Sequence, residues 1–228
     1  MRAKLPIFTG MIFCVILLAG CEPKPTATIS PSVRTANDIR KAELLAELQK
    51  KWENPPVHYQ LGQLYHSESD WSKAEWYYNV ALGFNPAYRD VQAAIVKLQY
   101  DRGDKAKGDW AANMYITQVS SAPDQLLALG IAFEKQGLGD YALKCYQNAI
   151  SLAPDSNAVS RQLGYYYLAR NKKDLAKEYF IRSFQLNSNQ PDVAEELGRL
   201  GVAIRIPQTP AAPSENLSQP AKPPAGTK

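Results

Sequence analysis

The chain has 228 residues, with 26 Lys and Arg against 22 Asp and Glu and a net charge of +4. Over the stretch 55–204 the balance is closer still to neutral, with 15 basic and 16 acidic residues. That excludes a nucleic-acid binder, which needs a basic face, and adhesion to a membrane through a polybasic segment.

Residues 1–20 read as an address and not as part of the fold. Arg2 and Lys4 give a short positive region, and an apolar run follows from Leu5 to Leu18. A run of about 14 residues is short of the roughly 20 that span a bilayer. It fits the apolar region of a secretory signal. The run ends Leu18-Ala19-Gly20-Cys21, which resembles a bacterial lipobox. The resemblance implies cleavage before Cys21, diacylglycerol on its thiol and, as a rule, acylation of the new amino group. Two or more acyl chains hold a protein firmly on a bilayer, so lipid attachment at Cys21 anchors the mature chain to the cell envelope. Glu22 follows. In families with two membranes an Asp at that site tends to retain the protein at the inner membrane, so Glu22 points to the periplasmic face of the outer one.

Loss of Arg2 and Lys4 takes the net charge to +2. Cys14 leaves with the signal and Cys21 is acylated. Cys145 alone stays free, so no intrachain disulfide is expected. Its reading is a small, partly buried residue.

Residues 21–34 hold Pro23, Pro25 and Pro31 among Thr and Ser. They read as a flexible tether, reaching roughly 40 Å at about 3.1 Å per residue if extended. The segment 35–54 follows as an N-terminal helix. Ile39, Ala42, Leu45 and Leu48 within it are spaced as an apolar stripe that covers the end of what comes next.

From residue 55 the chain repeats. Leu61-Gly62, Leu129-Gly130, Leu163-Gly164 and Leu197-Gly198 lie on one grid with a spacing of 34 residues. Three residues after each Gly come Tyr65, Phe133 and Tyr167. Twelve after it come Ala74, Ala142 and Ala176, then Tyr78, Tyr146 and Phe180, then Ala81, Ala149 and Ser183. Pro86 and Pro154 close two units. A fixed period of this size means a stack of helix pairs and not one globular core. The Leu and the aromatic, i and i+4, form a buried stripe. The Gly costs about 1 kcal/mol against Ala in a helix and lets the second helix approach. The small Ala serves the same crossing, and the later aromatic is expected to fill space between neighbouring units. Gly103, Gly137 and Asn171 share the slot between the helices, and both residue types tolerate positive φ.

These positions resemble the tetratricopeptide repeat, whose pattern is W-x2-L-G-x2-Y…A-x3-F…P. The resemblance covers 55–204 and implies an all-α, right-handed solenoid. Its units are 55–88, 89–122, 123–156 and 157–190, with a capping helix at 191–204. The second unit is degenerate: Ile95-Val96, Gln99, Gly108 and Ser120 stand in its slots. Residues 205–228, rich in Pro, Ala and Ser, have almost nothing apolar to bury and read as a disordered tail.

No catalytic constellation appears. His58 and His66 lie eight apart on one helix, about 12 Å by rise, too far to share a metal. No metal motif, nucleophile motif or phosphate loop is present, so neither an enzyme nor a cofactor is expected. The function implied is protein binding. In the resembling family the first helices of successive units line a concave groove. Carried over, its residues are Tyr59, Gln63 and His66, then Lys97, Tyr100 and Asp101, then Glu134 and Lys135, then Arg161, Tyr165 and Leu168. Tyr and Arg are favoured anchors. The Lys and Asn of the carboxylate clamp of chaperone-binding repeats are not evident. The architecture is similar to that of pilotin-type lipoproteins, which help secretin rings assemble in pili and secretion systems. The expectation is a membrane-anchored adaptor for an envelope protein or peptide. The alternative is a non-catalytic accessory subunit of a cell-wall or other envelope enzyme complex.

Overall fold

The computed structural model describes residues 35–203. The expected signal, the tether with Cys21, and the tail 205–228 lie outside the described residues. Among those described there are ten helices and no strand: α1 (Ala36–Lys50), α2 (Pro55–Ser67), α3 (Trp71–Phe84), α4 (Arg89–Asp101), α5 (Lys105–Gln118), α6 (Pro123–Lys135), α7 (Gly139–Leu152), α8 (Asn157–Leu168), α9 (Lys173–Leu186) and α10 (Pro191–Arg199). None of them is long and apolar enough to cross a membrane.

Local chemistry sets the helix ends. Pro55, Pro123 and Pro191 occupy first-turn positions, where a missing N–H costs nothing. Asp70, Asp104 and Ser156 accept from the N3 amides of α3, α5 and α8, as good N-caps do. Thr35 and Asp38 make a capping box on α1. The turn between paired helices needs one left-handed residue. Gly103 (φ 94), Gly137 (φ 73) and Asn171 (φ 56) supply it as their types suggest. In the first unit the residue is Ser69 (φ 60), which residue type alone does not reveal.

Each unit is an antiparallel pair: α2 with α3, α4 with α5, α6 with α7, α8 with α9. The Leu-Gly motif is the contact point within the pair. A Cβ built on Gly62 would sit 2.4 Å from the Tyr78 ring, and one on Gly164 the same distance from Phe180. The later aromatic therefore packs on the glycine of its own unit and, as expected, also fills space towards the next one: the Tyr146 ring meets that of Tyr166 at 5.9 Å, and Tyr78 clusters with Val91, Ala94 and Leu98. Ala74, Ala142 and Ala176 are fully buried beside it.

The second unit folds as a helix pair with its bulk redistributed. Val96 stands in the Gly slot and Ala112 in the aromatic slot, both fully buried, so the large partner has moved to the first helix. Gly108 takes the Ala slot and receives the Tyr100 ring, 2.9 Å from a built Cβ. Where the other units have Ala81, Ala149 or Ser183, this one has Tyr115, buried at 7% exposure. The stacking also changes here: α3, α7 and α9 each pack on the helix that follows, whereas α5 and α6 make no comparable approach and α4 meets α6 directly.

The two ends differ from the middle. α1 occupies 36–50, the register of a second helix one period before α3. Leu44 and Leu48 are the residues α1 buries on α2, while Ile39 (50% exposed), Ala42 and Leu45 face solvent. The expected stripe of Ile39, Ala42, Leu45 and Leu48 is thus wrong except at Leu48. Helical geometry favours i, i+4, and a spacing of three drifts off one face. Glu43 and Glu47 give α1 a polar, exposed side, as suits a capping surface, and Arg40 reaches α2 by donating to Gln60 at 2.8 Å. At the other end α10 buries Val193, Ala194 and Leu197. Its Gly198 has nothing within 4 Å of a built Cβ.

Candidate binding surface

The residues expected to line one groove fall into three groups. Tyr59, Lys135 and their partners come together first. The Gln136 amide donates to the Tyr59 hydroxyl at 3.5 Å. Lys135 pairs with Asp90 at 3.2 Å. The C-terminal end of α6 therefore reaches the N-terminal ends of α2 and α4, and the inner face closes there. Tyr59 also packs on Tyr78 and Tyr88. Burial, with Asp90 nearby, pushes its hydroxyl up to about 12.

His66 and Asp101 join units one and two. The His66 Nε2–H donates to Asp101 at 2.9 Å, which leaves Nδ1 to accept from the Tyr78 hydroxyl at 3.3 Å. Lys97 closes on the other Asp101 oxygen one turn earlier in α4. At the far end the Tyr165 hydroxyl donates to Asp192 at 3.0 Å, and Arg161 stands 3.7 Å from the same carboxylate. Burial and that carboxylate push Tyr165 up to about 12.

Four of the expected residues are placed elsewhere or already engaged. Tyr100 lies on Gly108, and its hydroxyl and that of Tyr141 both donate to Asp109. These donors hold Asp109 below the usual carboxylate range, Tyr100 first. The cluster belongs to a shallow cleft between α5 and α7, with Lys105 and Lys144 at its rim. Tyr100 therefore leaves the groove. Gln63 lines a small end cleft with Arg40, Gln60 and Leu64, beside α1. Glu134 accepts from Tyr146 (2.8 Å), Gln162 (3.1 Å) and Arg170 (3.3 Å), which ties unit three to unit four. Leu168 packs against the core.

Residues that sequence reasoning passed over do as much at this surface. Asp90, Gln136 and Asp192 complete the pairs of Lys135, Tyr59, Arg161 and Tyr165, and Gln162 donates to Glu134. Asp90, Asp124 and Asp192 recur in one repeat slot, so the 34-residue grid does carry a signal for that position, whereas Gln136 has no such recurrence. In Lys135–Asp90 and Arg161–Asp192 both members are at least a third exposed, so each pair contributes little to stability, on the order of 0–1 kcal/mol.

Among the described residues no group of three or more His, Cys, Asp or Glu could hold a metal ion. His58 is fully buried, with Nε2 donating to the Trp52 carbonyl at 2.9 Å. It is a core residue. Cys145 is buried and free, and desolvation pushes its thiol up to about 12, which makes it a poor nucleophile.

A family model for the tetratricopeptide repeat matches residues 162–190. No curated protein matches the chain. Among solved structures, a MamA protein is similar at 16% identity over 64% of this chain and 80% of that one, with a TM-score of 0.39. PilF of Pseudomonas aeruginosa is similar at 25% identity over 70% of this chain and 68% of that one, with a TM-score of 0.37. PilW, described as a type IV pilus biogenesis factor, is 17% identical over 71% of this chain and 79% of that one, also at 0.37.

The 34-residue grid and its helix pairs make the described residues an all-α stack of repeats, whose fourth unit matches the tetratricopeptide-repeat model. A solenoid of this class is a protein-interaction scaffold.

Proposed function

We propose that the chain is a lipid-anchored adaptor of the bacterial cell envelope. Its inner face binds a segment of another envelope protein, and Cys21 holds it to the periplasmic face of the outer membrane where two membranes exist. Assembly of a pilus or secretion system is the setting that the resemblance to pilotin-type lipoproteins implies. The chain's part in it is binding without catalysis.

The observation that supports this reading is a division of labour among the repeat slots. The shared slots are consumed by packing: Leu61, Leu129, Leu163 and Leu197 are all fully buried. The slots that differ between units put Lys97, Lys135, Arg161 and Tyr165 at the surface, where they meet Asp101, Asp90 and Asp192 in exposed pairs. Such pairs set the charge pattern a partner must match while lending the fold little stability.

Two measurements test the parts separately. Intact mass of the envelope-extracted protein reports the anchor: a diacylglycerol-bearing mature chain beginning at Cys21 supports it, and an unmodified Cys21 overturns it. Affinity purification followed by mass spectrometry reports the surface. Arg161→Glu is expected to deplete the principal partner, because it sets two carboxylates against each other at Asp192. An unchanged partner set overturns the assignment of the inner face.

A further inference from the structure

The outer face of the first two units carries exposed tryptophan. Trp76 and Trp110 occupy the same repeat slot on α3 and α5, at 49% and 65% exposure. Units three and four have Lys144 and Glu178 in that slot. Trp52, 53% exposed, follows α1, and its ring stands 6.2 Å from that of Trp76. Phe84, 37% exposed, extends the surface by stacking on the buried His58, which Trp52 meets edge-on. Three of the four tryptophans of the chain therefore lie exposed on the N-terminal half of one face.

We propose that this face rests on a lipid surface. The inference rests on the anchored-adaptor reading, and it says how the anchored solenoid is oriented. The described chain begins at Thr35, at the start of α1, so the expected anchor enters at the same end of the stack that carries the tryptophans. Tryptophan suits the interface chemically: its ring is apolar and its N–H remains wet. Lysines surround the patch, but they are balanced. Lys73 pairs with Asp70 and Lys107 with Glu75, while Lys50 and Lys51 are followed by Glu53. The contact is therefore apolar, not electrostatic, and independent of anionic lipid and of salt. An exposed aromatic surface in a soluble protein otherwise marks an interaction site of another kind, so a second copy of the chain is the rival occupant. With the outer face down, the inner face points away from the membrane and towards its partner.

The test supplies the tether artificially. The chain from residue 22 onward keeps every helix of the solenoid. It is held by an N-terminal His tag to phosphatidylcholine vesicles that carry a nickel-chelating lipid and brominated acyl chains. Because Cys21 is absent, the result does not depend on acylation, and a failed anchor reading shows up only in the intact-mass measurement. Tryptophan fluorescence is expected to be quenched by the bromine, equally in low and high salt. Trp52→Ala with Trp76→Ala loses most of that quenching, whereas Lys144→Ala keeps it. Circular dichroism checks that both variants melt as the parent does. Three results overturn the inference: no quenching of the tethered parent, quenching unchanged in the double variant, or a dimer in free solution that the double variant abolishes.

Discussion

The Tyr146 ring covers Gly130 so closely that a Cβ on the glycine would sit 2.4 Å from it. Gly198 keeps the same Leu-Gly motif, yet nothing lies within 4 Å of its Cβ position. Among the described residues α7 covers this face of α6, and no helix follows α10. The two glycines therefore respond oppositely to alanine. Gly130→Ala is expected to destabilise. Overpacking costs about 1–3 kcal/mol, and better helix propensity offsets only about 1 of it. Gly198→Ala is expected to be neutral or stabilising by up to about 1 kcal/mol. Urea denaturation of the two variants checks both signs, and equal effects contradict the packing account.

The second prediction concerns Gln99, which stands where three other units have Tyr65, Phe133 and Tyr167. It is 1% exposed, donates to Glu75 at 3.3 Å, and leaves its own carbonyl without a partner. Glu75 keeps Arg102 and Lys107 without it. Replacing an under-satisfied buried amide by an apolar group of similar size removes a desolvation cost of about 1–3 kcal/mol. Gln99→Leu is expected to raise the melting temperature by a few degrees. A fall of similar size places the value of Gln99 in its contact with Glu75.

A third prediction follows from burial of Cys145 and of the tyrosines. Folding raises the Cys145 thiol from 9.0 to about 12, and desolvation is the main cause. Tyr59 and Tyr165 move from 10.0 to about 12 for the same reason. A group whose folded pKa is raised contributes stability below its unfolded pKa and loses it as pH climbs towards the folded value. Stability is therefore flat through neutral pH and falls between about pH 9 and 12. Cys145 is also expected to resist thiol reagents at pH 8 until denaturant is added. Prompt labelling of the native protein contradicts its placement.

The fold was legible because its signal is redundant. Leu61, Leu129, Leu163 and Leu197 say the same thing four times, and each is fully buried. Exceptions were legible only in part. Val96 marks the second unit as unusual, but the matching loss of bulk at Ala112 and the burial of Tyr115 emerge only when the two helices are set side by side. The α1 stripe failed because two of its apolar residues, Ile39 and Leu45, face solvent, while Leu44 between them carries the contact.

The candidate surface was legible in outline and not in detail. The rule that first helices line the inner face names Lys97, Lys135, Arg161 and Tyr165, and all four are at least partly exposed. It could not foresee that Tyr100 turns onto Gly108, nor that Gln136 reaches Tyr59 across 77 residues of sequence. The first is a contact within the degenerate second unit and the second joins unit three to unit one, and the shared repeat pattern encodes neither.

The central claim is that the inner face takes the partner. Site-specific photocrosslinking in intact cells tests it most directly. A photoreactive residue is placed at position 161 on the inner face or at position 178 on the outer face of the same fourth unit. The account predicts a discrete crosslinked adduct with one envelope protein from position 161 and none from position 178. An adduct from position 178 alone would contradict it.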